Sequence, residues 1–375
     1  MRIEKKLKED SKPYAWTTRE ASIEDAGAIW QLHREVYYPL TAINRPGLLW
    51  DNDPHSIWQW WMLDNPTAKG YSYVAEDNGH IIGHMANIGV WYNVQGKKVL
   101  GAYAWGALTQ MDYRNQGIYQ YLREKLTEFR PKSGVLFATG MASSLGERVY
   151  RSQGTNMLGR SDFLVKILNP KSVIFKRTHS KVLSSISGIL IKMTLNLLSI
   201  LKMGRKKRKL GHVFEVEYFD ERFDQLWMKL KDSVKFSYWK DSTYLNWRYL
   251  KRPNVKYQII AVEEESVVYG YIVLRLVDNV YNVGHVVDFF CLPGKEGYAS
   301  NLIDFGITYL KEKGADIVYC LLLQNNPYYQ LFKEKIFIRR GYSGMWILGK
   351  EIDIPNPGIR DINNWYLMHG DTDTI

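Results

Sequence analysis

The stretch YAWGALTQMDYRNQGIYQYLREKLTEF, residues 103–129, is the part of the sequence that decides the fold. Its first nine residues are typical of a strand, and those from Gly117 onward have the apolar spacing of an amphipathic helix that ends before Pro131. The turn between them points backbone N–H groups at one spot beside a positive helix end, which suits an anion such as a pyrophosphate. Gly117 would let a phosphate approach the backbone, and Arg114 would add positive charge. An ordinary loop with a solvated arginine has the same pattern, so the loop alone leaves both interpretations open.

The segments on either side of this stretch alternate between helix and strand patterns. SIEDAGAIWQLHREVY predicts a helix capped by Ser22, with Asp25 in the capping-box position. YSYVAE and HIIGHMANIGVW predict a hairpin around Asn78-Gly79. GVLFATG is typical of a buried strand, and a short helix, SLGERVYRS, and a last strand, FLVKIL, follow it. This mixture predicts an α+β fold with a mixed, mostly antiparallel sheet flanked by helices.

A second copy of this unit follows the first. IWQWWMLDNP (57–66) and YLNWRYLKRP (244–253) align at an offset of 187 residues, which places Trp60 on Trp247 and Gly83 on Gly270. We therefore expect a first domain over residues 1–170, a basic helical linker over 171–211, a second domain over 212–350 and a tail over 351–375.

Three features of the first unit together resemble the GNAT superfamily of N-acyltransferases. TTREASIEDAGAIWQL resembles the opening strand and helix of that family, and VYRSQGT resembles its fourth helix, with Tyr150 four residues before Gly154. The family signature Q/R-x-x-G-x-G/A reads here as Arg114-Asn115-Gln116-Gly117-Ile118-Tyr119. Tyr119 departs from the family pattern, which has Gly or Ala at that position. The resemblance covers about 150 residues and implies two GNAT-like domains, of which the first is catalytic.

The same resemblance implies an acyl-CoA cosubstrate, acetyl-CoA first, and no metal. Its pyrophosphate would lie on the backbone amides of residues 115–119, and its pantetheine would pair with backbone near Thr109 and Met111, between the strands YAWGALTQM and GVLFATG. A neutral amine would attack the thioester, and a backbone N–H of the fourth strand would stabilise the oxyanion. Tyr150 would protonate the departing thiolate as general acid. A core tyrosine with a locally bonded hydroxyl is the alternative interpretation of Tyr150.

The sequence leaves the proton acceptor and the amine substrate open. His84 and Glu35 are the two candidate bases, and a water chain serves in many relatives. Aromatic residues of the first unit would suit the apolar face of an amino sugar or would simply form core. These residues are Trp30, Tyr37, Tyr38, Trp50, Trp58 and Trp61.

The second copy departs from the first at the positions that carry the implied chemistry. Its loop reads Gly294-Lys295-Glu296-Gly297, which places an acidic residue where a pyrophosphate would lie, and Phe337 replaces the tyrosine of the first copy. We therefore expect the second domain to be degenerate and to cover or shape the acceptor side of the first.

Charge and composition narrow the remaining possibilities. The net charge of +11 equals the eleven Lys and Arg of residues 171–211, a segment without Asp or Glu. No folded domain therefore needs a basic face, and we expect no nucleic-acid partner. Two cysteines, in apolar runs, make no disulfide framework, and no histidine has metal-ligand spacing with them. No signal peptide is visible, so a cytoplasmic protein is expected.

Residues 182–203 are long and apolar, with Lys192 and Lys202 as their only charges. A polar stripe runs along them at helical spacing, so they predict an amphipathic helix on an anionic membrane surface or one packed between the domains. The first alternative makes the protein peripheral at the inner face of the membrane. Two other functions stay open: a Fem-type peptidyltransferase that uses aminoacyl-tRNA, and a non-catalytic scaffold at the membrane surface.

Overall fold

The computed structural model describes residues 15–41, 53–202, 210–278, 281–349 and 352–373. The strands of the first unit are β1 (Thr17–Glu20), β2 (Tyr71–Asp77), β3 (His80–Val94), β4 (Lys97–Thr109), β5 (Ala138–Ala142) and β6 (Asn156–Ile167). Its helices are α1 (Ala26–Thr41), α2 (Pro54–Trp58), α3 (Ile118–Ser133) and α4 (Ser144–Ser152). Two connecting helices, α5 (Pro170–Thr178) and α6 (Lys181–Lys202), lead to the second unit.

The second unit repeats this order of elements. Its strands are β7 (His212–Glu215), β8 (Phe236–Tyr238), β9 (Gln258–Glu264), β10 (Val267–Val277), β11 (Val283–Cys291), β12 (Ile317–Leu322) and β13 (Ile338–Leu348). Its helices are α7 (Glu221–Leu230), α8 (Ser242–Leu245), α9 (Glu296–Glu312) and α10 (Tyr329–Glu334). A C-terminal segment, residues 352–373, adds the short strand β14 (Trp365–Tyr366).

Local sequence explains most of these elements. The Ser22 backbone N–H donates to Asp25 Oδ2 at 2.8 Å, which closes the capping box at the start of the first helical segment. Asn78 and Gly79 both have positive φ, 48° and 78°, as the tight β2–β3 hairpin requires. Helix α3 continues through Pro131 to Ser133, beyond the end that the sequence predicts. Proline removes only one N–H in this last turn, and Gly134, at φ 72°, then ends the helix.

One sheet runs through both units. Its strand order is β1-β2-β3-β4-β5-β13-β6-β12-β11-β10-β9-β7. The described ladders are antiparallel except β4 with β5, β11 with β12 and β8 with β14. The predicted α+β class and the mixed, mostly antiparallel sheet are therefore confirmed.

The two units exchange their last strands at the centre of this sheet. Strand β13 of the second unit pairs with β5 of the first, and β6 of the first pairs with β12 of the second. The two exchanged strands also pair with each other. Each unit therefore completes its sheet with a strand from the other, and the strand order reads the same from either edge.

The repeated Trp60 and Trp247 meet across the centre of this arrangement. Trp60 Nε1 donates to the Trp247 carbonyl at 3.0 Å, and Trp247 Nε1 donates to the Trp60 carbonyl at 3.2 Å. Their rings stack with centroids 4.8 Å apart. A reciprocal contact of this kind is expected when two equivalent residues lie beside a local two-fold axis. The equivalent tryptophans of the sequence repeat thus form a contact between its two copies.

The C-terminal segment packs into the protein as part of its core. Ile359, Trp365, Leu367 and Met368 are all buried. Strand β14 pairs with β8, and its Trp365 meets Tyr92 of β3 edge-on with ring centroids 6.3 Å apart, so this segment contacts strands of both units. The apolar content of residues 359–368 therefore contributes to holding the two units together.

Candidate active site

The loop between β4 and α3 has the backbone shape of an anion cradle. After a short 3₁₀ turn at Met111–Tyr113, both Asn115 and Gly117 adopt left-handed conformations, with φ of 64° and 81°. Gly117 is the N-cap of α3, and the first-turn amides of a helix have no partner within it. A Cβ on Gly117 would meet nothing within 4 Å, so the glycine is required for its φ and for access to the backbone. The Arg114 side chain is exposed, and its Nε lies 3.4 Å from the Thr109 carbonyl.

Strands β4 and β5 separate next to this loop. Their parallel pairing includes only Ala102 with Ala138 and Tyr103 with Thr139, although β4 continues to Thr109. The register of β3 against β4 shifts between His84 and Ala86, and Gly106 opposite the shift has a φ of 63°. A bulge of this kind bends its strand, and here it lies beside the gap between β4 and β5.

A cavity of about 60 Å³ lies at this gap. Ala104 and Thr139 line it from the two separating strands, Tyr119 lines it from α3, and Tyr150 lines it from α4. Ile347 of the exchanged strand β13 also lines it, so the second unit contributes a wall. The structure thus places the signature loop, the strand gap and Tyr150 together.

Tyr150 is held in the cavity with its hydroxyl protonated. Its ring meets that of Tyr119 edge-on, with centroids 5.9 Å apart. Burial raises the pKa of Tyr150, and burial also raises the pKa of Tyr119 to about 12. Because both phenols keep their protons at neutral pH, Tyr150 can act as a hydrogen-bond donor or proton donor in this cavity.

His84 and Glu35, the two bases considered from the sequence, lie outside the cavity wall. The buried ring of His84 has Nδ1 at 2.8 Å from the Gly106 carbonyl and Nε2 at 2.9 Å from the Ser72 hydroxyl. A carbonyl only accepts, so Nδ1 carries the proton and Nε2 accepts from Ser72. Burial lowers the pKa of His84 to about 4, which keeps the ring neutral. The exposed Glu35 accepts from Gln31 Nε2 at 3.0 Å.

A carboxylate that the sequence analysis missed lies at the strand gap. The Tyr103 hydroxyl donates to Asp373 Oδ1 at 2.9 Å. Tyr103 belongs to the last paired position of β4 with β5, so Asp373 is held where the two strands separate. The two residues are 270 positions apart in the chain, and no local pattern connects them.

The corresponding gap in the second unit is filled by the C-terminal segment. Strands β11 and β12 pair only from Val283 with Ile317 to Val286 with Cys320. Beyond that point, Met368 bridges to Leu322 and the Tyr366 hydroxyl donates to the Phe289 carbonyl.

A buried charge cluster fixes this segment in place. Lys240 Nζ lies 2.8 Å from both carboxylate oxygens of Asp288 and 2.9 Å from Asp371 Oδ1. All three side chains are almost completely buried. Removing one partner of such a cluster leaves an uncompensated buried charge, so the cluster is expected to hold the segment firmly.

The other substituted positions of the second unit also lack the geometry of the first. Helix α9 starts after Lys295, whose φ is −111°, instead of after a left-handed glycine. Phe337 is buried among apolar residues, with Phe332 at 5.2 Å between ring centroids.

Three of the aromatic residues considered for sugar stacking are core residues. Trp30, Trp58 and Trp61 are each buried, with at most 7% of their surface exposed. Trp50 and the side chains of Tyr37 and Tyr38 lie outside what the structure describes.

Comparison with known proteins identifies the first unit. Residues 19–157 match the sequence family described as an acetyltransferase (GNAT) domain. The first unit is a GNAT domain. A search of curated protein sequences finds no match to the chain.

The GNAT fold extends over most of the chain in comparisons with solved structures. A GCN5-related N-acetyltransferase from Anabaena variabilis ATCC 29413 is 12% identical, with a TM-score of 0.61 over 89% of this chain and 72% of that one. One from Kribbella flavida is 13% identical, with a TM-score of 0.55 over 90% of this chain and 72% of that one. Saccharomyces cerevisiae N-myristoyltransferase with bound myristoylCoA is 12% identical, with a TM-score of 0.61 over 90% of this chain and 83% of that one. The chain therefore has the fold of these proteins over most of its length, with two GNAT-like units.

The connecting helices α5 and α6 form a hairpin with an unusual surface. In α6, Ser184 and Gly188 are buried, and a Cβ on Gly188 would lie 2.9 Å from Lys171 Cα of α5. The opposite face is apolar and exposed: Val182, Ile186, Ile189, Leu190 and Met193 each expose between 58% and 70% of their surface. Among the described residues, no helix combines the length and apolarity that crossing a bilayer requires.

Proposed function

We propose that this protein is an acyl-CoA-dependent N-acyltransferase that transfers an acyl group, acetyl in the first instance, to a primary amine such as an amino sugar. The observation that carries the proposal is the gap between β4 and β5, which opens between the left-handed loop at Asn115–Gly117 and the protonated Tyr150. The bound myristoylCoA of the yeast neighbour supports a CoA thioester as the donor.

Binding would use backbone groups more than side chains. The amides of Asn115 to Tyr119 would hold the pyrophosphate, because a helix N-terminus with left-handed residues before it favours an anion. Arg114 would add positive charge, and Thr109 and Met111 would offer backbone partners at the end of β4.

Catalysis would use the bulge and Tyr150. The amine nitrogen forms a bond to the thioester carbonyl carbon and loses one proton to a base, while a backbone N–H of β4 near Gly106 stabilises the oxyanion. The carbon–sulfur bond then breaks, and the Tyr150 hydroxyl gives its proton to the departing thiolate. Ile347 of the second unit would limit the size of the acyl group or acceptor at this point.

The test is acetyl-CoA binding by calorimetry. Gly117→Val should abolish binding, because its side chain occupies the approach of the pyrophosphate. Arg114→Ala should weaken binding by about 1 kcal/mol, as loss of a charge-assisted contact does. Gly134→Val is the matched control, since Gly134 is also left-handed, φ 72°, but ends α3 instead of beginning it. Equal affinity in the wild type and both loop variants would contradict the proposal.

A second feature concerns where the enzyme acts. We propose that the exposed apolar face of α6 lies on an anionic membrane surface. The exposed apolar stripe suits the acyl region of a lipid surface. The segment around it has eleven Lys and Arg and no acidic residue, which suits anionic headgroups. The protein would then be peripheral at the cytoplasmic face of the membrane.

A further inference from the structure

We infer that the Asp373 carboxylate is the catalytic base that takes the proton from the acceptor amine. This inference rests on the proposed acyl-transfer function and adds a catalytic residue from outside the GNAT unit. It assigns the C-terminal segment a part in the chemistry in addition to its part in the core.

The position of Asp373 is the first argument. Its Oδ1 accepts from the Tyr103 hydroxyl at 2.9 Å, and Tyr103 pairs with Thr139 at the last position before β4 and β5 separate. Two residues next to Tyr103 line the cavity: Ala104, which follows it in β4, and Thr139, its partner in β5. Asp373 is half-buried and is not sealed inside the core.

The way the segment is held is the second argument. Arg248 Nε donates to the Gly370 carbonyl at 2.9 Å, and its Nη2 donates to the Thr372 carbonyl at 2.8 Å. Arg248 is itself buried against the central tryptophans, with its guanidinium carbon 5.5 Å from the centre of the Trp60 ring. The backbone on the N-terminal side of Asp373 is therefore fixed by a buried guanidinium, and such fixation is what a base aimed at one atom requires.

The groups that act on Asp373 come from β4 and from the stretch of chain that holds Arg248 and Arg252. Burial raises the pKa of Asp373, while the hydrogen bond from Tyr103 and the positive charges of Arg252 and Arg248 lower it in part. The negative charge of Asp373 also raises the pKa of Tyr150. The Asp373 carboxylate thus favours the protonated form of Tyr150, which the proposed proton donor requires.

The two bases considered from the sequence, the His84 imidazole and the Glu35 carboxylate, lack this arrangement. The only free lone pair of neutral His84 already accepts from Ser72, and the ring is completely buried. Glu35 is exposed, and its two oxygens accept from Gln31 at 3.0 Å and from Gln110 at 3.5 Å.

The step balances without another reactant. The amine nitrogen bonds to the thioester carbon, its proton passes to the Asp373 carboxylate, and the carbon–sulfur bond breaks as Tyr150 protonates the thiolate. Proton transfer from Asp373 to solvent and from solvent to Tyr150 then restores both groups.

The test is Asp373→Asn, assayed by CoA release from acetyl-CoA with glucosamine and with water alone as acceptors. Turnover should fall about 100-fold while acetyl-CoA affinity stays the same. The acidic limb of the kcat/KM profile, which rises as the Asp373 carboxyl loses its proton, should disappear. Asp373→Glu should restore part of the rate, and Asp353→Asn, an exposed carboxylate of the same segment, should match the wild type.

The outcomes separate this inference from the proposed function. A wild type that binds acetyl-CoA and turns over, with Asp373→Asn equally active and an unchanged pH profile, overturns the assignment of the base alone. A wild type that neither binds acetyl-CoA nor releases CoA overturns both. A slow variant whose remaining activity keeps the acidic limb shows a structural role and also overturns the assignment.

Discussion

Tyr150 and Phe337 are equivalent positions of the two units, and a single hydroxyl separates them. In the first unit that hydroxyl lies in a cavity beside Tyr119, and burial keeps it protonated. In the second unit the ring packs against Phe332 in the core, where a hydroxyl would need a partner. Under the proposed mechanism, the same place in the fold is a proton donor in one copy, and it is a packing residue in the other.

We expect Tyr150→Phe to reduce turnover about 100-fold and to leave acetyl-CoA affinity nearly unchanged, because only the proton donor is removed. Phe337→Leu should lower stability but leave turnover per folded molecule almost the same. Steady-state kinetics with calorimetry on both variants checks this. A silent Tyr150→Phe together with an inactive Phe337→Leu would place the active site in the second unit.

His84 gives a pH dependence of stability instead of catalysis. Its folded pKa of about 4 lies below the unfolded value near 6.5, so its contribution is complete above pH 6.5 and is lost as the pH falls toward 4. The loss attributable to this residue at pH 5 is on the order of 2 kcal/mol. Urea unfolding measures the decrease in the free energy of unfolding between pH 7 and pH 5. This decrease should be smaller in His84→Gln than in the wild type by the amount due to His84. The exposed His80→Gln should retain it.

At the scale of single elements, the α5–α6 hairpin is the clearest departure from an ordinary soluble surface. Small residues face the partner helix, and large apolar residues face outward. A monomeric protein seldom exposes a contiguous apolar patch of this kind without a binding role.

The double substitution Ile186→Ser and Leu190→Ser should reduce binding to vesicles of phosphatidylcholine with phosphatidylglycerol at least several-fold. High salt should release the wild type, since attraction between the basic segment and anionic lipid is screened. Met228→Ser on α7, an equally exposed apolar residue outside the hairpin, serves as the control. Sedimentation that is the same for all three proteins would exclude the membrane role of α6.

Elements determined by interactions between neighbouring residues could be predicted from the sequence, whereas those that depend on distant residues could not. The capping box at Ser22, the turn at Asn78-Gly79 and the left-handed loop before α3 are set by neighbouring residues, and the sequence predicts all three. The exchange of β6 and β13 and the place of Asp373 depend on contacts between residues more than 170 positions apart. The sequence carries no periodicity or spacing that encodes such contacts, so the base at the strand gap was not predictable from it.

At the scale of the whole molecule, the exchanged strands make the two units one cooperative structure. Without the other unit, β5 would lose its neighbour β13 and β12 would lose its neighbour β6. The central tryptophans add a reciprocal contact, and the C-terminal segment packs against both units.

We therefore expect residues 15–178 and 181–373, produced as separate chains, to be unstable alone and to assemble into a functional complex when produced together. Each fragment supplies the strand that the other lacks, and the cut falls between α5 and α6, outside the shared sheet. Size-exclusion chromatography and acetyl-CoA binding of the single and combined fragments check this. A first fragment that is monomeric, folded and able to bind acetyl-CoA by itself would contradict it.

The strand exchange also bears on how such a protein can evolve. A single unit of this type would complete its sheet only by pairing with an identical unit across a two-fold axis, so the unduplicated form would be a homodimer. Joining the two genes replaces dilution-dependent association with a high effective concentration of one half around the other. It also ends the requirement that both halves be identical. One half can then specialise in chemistry while the other becomes its permanent scaffold, which no homodimer encoded by one gene can do.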